Sequence, residues 1–167
     1  MSSISSGTTL TTALVQTADT SGVLQLQTNG TTTAVTIDTS QNVGIGTTPS
    51  AWQSGCKTLQ VGSTAKAFLG DGGNGVGFFG SNSYNDGANK FALSGYATQY
   101  YQDTTGGTHV WRTSTASGSA NGTITWLEGM RIDSSGNFGL GVTPSGWSGR
   151  TAFQFGAAGQ CGSQFGC

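Results

Sequence analysis

Side chains able to do chemistry are few in this sequence and widely spread. There is one histidine, His109, one glutamate, Glu128, and seven acidic residues in all. No cysteine stands at metal-ligand spacing from His109, so a zinc site is not expected. A Ser-His-Asp relay would need a tight turn presenting its serine, and no G-x-S-x-G segment occurs. So few acids leave few pairs for two-carboxylate glycoside hydrolysis, and no enzymatic activity is expected. Gly75-Val76-Gly77-Phe78-Phe79-Gly80 satisfies G-x-G-x-x-G. A dinucleotide loop opens a helix at those glycines, however, and no helical pattern follows. Asp71-Gly72-Gly73-Asn74 begins like a calcium loop but lacks the bidentate acid that closes one, so a surface turn is expected. No cofactor and no metal is implied.

Aromatic rings are the one functional bias. Phe68, Phe78, Phe79, Tyr84, Phe91, Tyr96, Tyr100, Tyr101 and Trp111 fall within 44 residues. Rings of this kind stack on sugars, and Tyr84, Tyr100, Tyr101 and Trp111 form the candidate surface for a host glycan or receptor. The same rings would equally make the hydrophobic core of a segment poor in aliphatic residues. Strand alternation puts Tyr100 and Tyr101 on opposite faces, so at least one of them faces outward.

The chain that must position these rings is poor in both charge and apolar residues. Gly, Ser and Thr make up 75 of 167 residues, charged residues 8 % and hydrophobic residues 34 %. Ordinary domains carry roughly 25 % charged and about 45–50 % apolar residues. Such a chain buries little apolar surface by itself, and its glycines raise the entropic cost of folding. Disorder is the weaker outcome, since there are two prolines and 10 % aromatics. The alternative is a fold that gains its missing burial from copies of itself. Net charge is −1 with six scattered basic residues, which gives no basic stripe for nucleic acid. No apolar run is long enough for membrane insertion. The segment after Met1 has neither a basic nor an apolar stretch of the secretory type. Cys56, Cys161 and Cys167 are too few for a disulfide framework and are expected as free thiols.

No window holds a helical apolar pattern, while short β-favouring runs are frequent. Strands are expected over 10–16, 23–28, 33–38, 57–61, 76–79, 90–94, 97–102, 108–113, 123–127, 130–133 and 137–140. Asn29-Gly30, Asp86-Gly87, Asn121-Gly122 and similar pairs mark the turns between them. The composition divides the chain into a Ser/Thr-rich leader (1–22), a first cassette (23–62), an aromatic-rich unit (63–129), a second cassette (130–156) and a Gly-rich tail (157–167).

The cassettes are a repeat. Residues 35–52 (VTIDTSQNVGIGTTPSAW) and 130–147 (MRIDSSGNFGLGVTPSGW) are identical at ten of eighteen positions. The likeness continues one residue out of phase, SGCKTLQVG at 54–62 against SGRTAFQFG at 148–156, and the strands before each core also match loosely. Asp133 is placed to accept backbone N–H groups in an Asx-turn, with Gly136 supplying a positive φ. Its counterpart Asp38 is followed by Gln41 where the second copy has Gly136, so Asn42 is the expected positive-φ residue there. Gly44 and Gly46, like Gly139 and Gly141, alternate with large apolar residues. They either permit close approach of a neighbouring backbone, as at a symmetry axis, or simply allow a bend. Pro49 and Pro144 stop the strand, and Trp52 and Trp147 offer large burial just beyond.

The pattern I-D-x-S-x-N-x-G-x-G-x-T-P, at 37–49 and 132–144, closely resembles repeats in the tail fibres and tailspikes of tailed bacteriophages. It includes Asn137 as well as the residues named above. The resemblance implies a homotrimer, made in the bacterial cytoplasm and incorporated into a virion. The self-cleaving chaperone segment that often follows such cassettes in long fibres is not expected among these residues. The expected fold is all-β: an elongated homotrimer in which two β shaft cassettes flank a small β knob. The expected function is that of a short tail fibre, or its anchoring part, joined to another virion protein through residues 1–22 and contributing to host attachment. A capsid decoration protein or head fibre is the alternative, and a sugar-cleaving tailspike a weaker one.

Overall fold

The computed structural model describes residues 20–64, 66–147 and 149–156. The expected strand at 10–16, nearly all of the leader, Cys161 and Cys167 lie outside the described residues. The chain is all-β: among the described residues 48 % lie in strands and none in a helix. Eleven strands form one sheet: β1 (Leu24–Thr28), β2 (Thr32–Ile37), β3 (Val43–Ile45), β4 (Lys57–Val61), β5 (Ala67–Asp71), β6 (Val76–Ser81), β9 (Thr98–Asp103), β10 (Thr108–Ser114), β11 (Trp126–Ile132), β12 (Phe138–Leu140) and β13 (Phe153–Phe155). They are ordered as in the sequence. The hairpin β7 (Ser83–Asn85) and β8 (Asn89–Phe91) is inserted between β6 and β9 as a separate ladder. Neighbours are antiparallel except β3–β4 and β12–β13, which are parallel.

The two cassettes fold alike, and the geometric repeat is longer than the sequence identity. It begins at β1 and β10. In each unit the first ladder skips one residue of the second strand: Ala34 between Leu26↔Val35 and Gln27↔Thr33, and Gly129 between Trp111↔Met130 and Arg112↔Glu128. The carbonyl of each bulged residue then accepts from the glycine that ends the next strand, Gly46 N–H at 2.9 Å and Gly141 N–H at 2.8 Å. Between these strands lies the Asx-turn. Asp38 Oδ1 accepts from Ser40 N and Asn42 N, and Asp133 Oδ1 from Ser135 N and Asn137 N. Asn137 Nδ2 also donates to Asp133 Oδ2 at 2.9 Å. Those bonds, the side-chain one first, hold the Asp133 carboxyl below its ordinary pKa.

One expectation about these turns is corrected, and another gains a structural reason. The left-handed residue of the first turn is Gln41 (φ 68°), in the same place as Gly136 (φ 78°), and not Asn42. Asn42 is needed elsewhere: its side chain is buried, and its Oδ1 accepts from Thr58 N and Thr58 Oγ1. The close approach allowed by Gly44 and Gly139 is made by their own chain. A Cβ on Gly44 would collide with the Thr47 carbonyl and the Pro49 ring, and one on Gly139 with the Val142 carbonyl and the Pro144 ring. Both glycines face the packed side of the sheet, where they make room for the turn of their own chain.

Segments between strands cover that packed side. Trp52 and Cys56, from the β3–β4 connection, pack with Phe68, Tyr84 and Ala92. Phe91, Ala97 and Ile124 form a second cluster against Trp126. Cys56 is buried and has no disulfide partner. Gly75–Gly80 lies along β6 and its entry, with no helix following. Asp71 closes a surface turn by accepting from Gly73 N at 2.8 Å. The runs expected at 123–127 and 130–133 merge into β11, which passes straight through its bulge.

Candidate interaction face

Register and alternation together place one row of side chains across the whole sheet. Reading cross-strand partners from β1, the row is Leu24, Ile37, Val43, Leu59, Leu69 and Phe79. It continues through Tyr100, Trp111, Met130, Leu140 and Phe155. Every strand of the sheet contributes one apolar or aromatic residue, and all point to the same face. Leu26, Ile45 and Val61 flank the row on one side, and Phe138 and Phe153 on the other. Among the described residues eleven large apolar side chains are exposed, and ten of them lie on this face; the exception is Tyr96. Leu69 is 58 % exposed and Phe79 62 %.

The opposite face is packed, yet it is the more polar one. Its residues include Thr36, Thr58, Gln60 and Gln99, all buried, beside Phe68 and Val110. Gln60 is 0 % exposed; its Oε1 accepts from Ser50 N at 2.7 Å and its Nε2 donates to Ser50 Oγ. Gln154 repeats the contact with Ser145 N at 2.5 Å. These glutamines fix the chain just after Pro49 and Pro144. The sequence reading assigned them no role, although identity at both positions of the repeat was the available signal. A self-sufficient sheet buries its apolar side. Here the polarity is inverted, and the apolar side is left open.

The structure divides the four candidate rings. Tyr84 is a core residue, 7 % exposed, with its hydroxyl donating to Asn121 Oδ1 at 2.9 Å. It is not the exposed ring expected from the sequence, because the inserted hairpin turns it under Trp52. Tyr101 lies on the packed face. The Arg112 guanidinium sits 4.5 Å from its ring centroid and 4.4 Å from that of Trp126, and donates to Gln99 Oε1. Burial pushes the Arg112 pKa down. Beside it Glu128 accepts two bonds of 2.7 Å from Arg131, whose pKa this pairing raises. Only Tyr100 and Trp111 come together on the open face, stacked with centroids 4.6 Å apart. The Tyr100 hydroxyl is 2.6 Å from His109 Nδ1 and accepts from Gln102 Nε2.

Around that pair the row borders a hollow of about 620 Å³. Phe79, Tyr100, Trp111 and Met130 stand beside it, and Ala67, Ser81, Thr98 and Thr113 keep its floor low. The lining offers stacking and apolar contact, with the Tyr100 hydroxyl held by His109 and Gln102. Among the described residues no group of three His, Cys, Asp or Glu side chains could hold a metal ion. No protein-family model, no curated protein and no solved structure matches this chain.

Proposed function

We propose that this chain is a structural protein of a tailed-bacteriophage virion, a short tail fibre or its anchoring part, that works as a homotrimer. One observation supports self-association above the others: the apolar row runs unbroken over eleven strands on a face that no described residue covers. Three copies turned with this face to a common axis would bury it. Full burial of a Leu or Phe side chain contributes about 1.5–3 kcal/mol, and the row repeats that gain strand after strand. Ten strand spacings of about 4.8 Å give a row roughly 48 Å long, the dimension of a short shaft. The choice of three copies and of a virion rests on the I-D-x-S-x-N-x-G-x-G-x-T-P cassettes. In this reading Tyr100 and Trp111 are interior to the trimer. Host contact passes to the outer side; Tyr96, exposed on the segment following β8, is no part of the row. Residues 1–22 join the assembly to the particle.

Sedimentation at low micromolar concentration is expected to give a trimer. Phe79→Asp, which sets a charge in the middle of the row, is expected to abolish it. A compact wild-type monomer, or an unperturbed Phe79→Asp trimer, would overturn the assembly. Mass spectrometry of purified phage particles is expected to find the chain, and its absence there would overturn the virion assignment.

A further inference from the structure

The outer edge of β13 repeats an edge that is filled elsewhere in the same chain. β3–β4 and β12–β13 are matching parallel pairs: Gly44↔Gln60 corresponds to Gly139↔Gln154, and Ile45↔Val61 to Leu140↔Phe155. The far side of β4 carries β5, antiparallel, with Leu69 opposite Leu59, Phe68 opposite Gln60 and Ala67 opposite Val61. Phe68 turns to the packed face and meets Trp52 at 5.1 Å. Trp52 belongs to the same cassette as β4.

At β13 each of these partners is present except the strand. No described strand pairs beyond it. Trp147, the repeat mate of Trp52, is half-buried and has no ring contact among the described residues, while Phe153 is 57 % exposed. Phe138 N donates to Ala152 O, and Gly156 N to Leu140 O. Residues 152, 154 and 156 therefore face β12, and by alternation the N–H and C=O groups of Phe153 and Phe155 point outward.

We propose that the β13 edge, with Trp147 as the repeat mate of Trp52, is a docking site for an extended strand of another protein. That strand runs antiparallel to β13 and sets an aromatic side chain opposite Gln154, as Phe68 stands opposite Gln60. The filled edge defines the occupant's pattern: small, aromatic, aliphatic. Residues 157–167 do not carry it, since the counterparts of Ala67-Phe68-Leu69 at equal spacing are Cys161-Gly162-Ser163. A second copy is a poor donor. Its own β5 is held between β4 and β6, and its open β1 would offer Gln25 and Gln27 to Trp147. Main-chain bonding supplies affinity and contact with the Trp147 ring supplies selectivity, the usual division in strand addition. The site does not depend on the trimer or on the virion.

The probe is a fluorescein-labelled peptide of residues 66–73, titrated against the full chain by anisotropy. Saturable binding is expected. The peptide with Phe68→Ser should bind about tenfold or more weakly, the loss of roughly one aromatic contact. On the protein, Phe155→Pro removes an outward donor at an edge position where proline is tolerated, and should abolish binding that Phe155→Ala largely keeps. Trp147→Ala should weaken it about as much as the peptide change does. The peptide variants on the wild-type protein carry the test whatever Phe155→Pro does to the fold. Equal binding of both peptides, or binding indifferent to Phe155→Pro, would overturn the site. So would an edge already filled by another copy, seen as no peptide binding together with a smaller assembly in Phe155→Pro. Trimer formation is read separately by sedimentation, so either conclusion can fail alone.

Discussion

The two cassettes share a turn, left-handed at Gln41 (φ 68°) and at Gly136 (φ 78°), and differ in how deeply the residues around it are buried. Asp38-Asn42 and Asp133-Asn137 make the same bonds, and Gly44 and Gly139 clear the same carbonyl and proline. Yet Trp52 is buried against Phe68 while Trp147 is only half-buried, and Gln60 is sealed while Gln154 is not. The turn is built from atoms within about six residues of one another, so it forms wherever those residues occur. Burial of the tryptophan and glutamine needs β5, and β5 follows only the first copy among the described residues. The repeat thus specifies a local device, and its neighbours decide how much stability that device contributes.

That comparison can be broken at graded cost. The largest effect is expected from Gly44→Ala and Gly139→Ala, since either methyl group meets a backbone carbonyl that cannot swing aside. Each should cost about 2–3 kcal/mol, as overpacking does. Gly44→Ala should be the worse in thermal denaturation, because two strands lie outside β3 and only one lies outside β12. Asn42→Ala and Asn137→Ala come next. Removing Asn42 strands Thr58 N and Thr58 Oγ1, whereas removing Asn137 strands Ala152 N alone. A buried group left unpaired costs about 1–3 kcal/mol, so a denaturant titration should rank Asn42→Ala below Asn137→Ala in stability. The smallest effect sharpens the likeness. Gln41→Gly should stabilise the first turn and Gly136→Gln destabilise the second, each by about 1 kcal/mol, because glycine holds the left-handed conformation without the Cβ penalty. For a chain of this size that is a shift of about 2–4 °C in Tm, of opposite sign in the two variants. Shifts of the same sign would show that the two turns are not equivalent.

Much of the strand content was legible. β4 runs over the five residues expected, and β1, β2, β9, β10 and β12 fall within a residue or so of their expected bounds. Asn29 and Gly30 both take the positive φ that such a pair implies. β5 was missed because Gly70 and the Asp71-Gly72 turn lie against or inside it. β13 was missed because three residues, F-Q-F, are too few to show a period. Tyr84 was misplaced because its burial depends on Trp52, more than thirty residues away in the chain.

What the sequence determined alone is therefore the local part: all-β structure, the places of the turns, and the Asx-turns at Asp38 and Asp133. Each depends on steric limits or hydrogen bonds between residues at most a few positions apart, and such constraints act before any tertiary contact exists. The open apolar row was decided only by the tertiary structure. Its residues alternate visibly within each strand, but their alignment over eleven strands depends on every hairpin register and on the bulges at Ala34 and Gly129. Alternation also cannot say which face packs. Here the connections carrying Trp52, Tyr84 and Phe91 fold over the threonine and glutamine face, because that face holds Phe68, Val110 and the small residues those rings need beneath them. The row of leucines and aromatic rings is left on the other side.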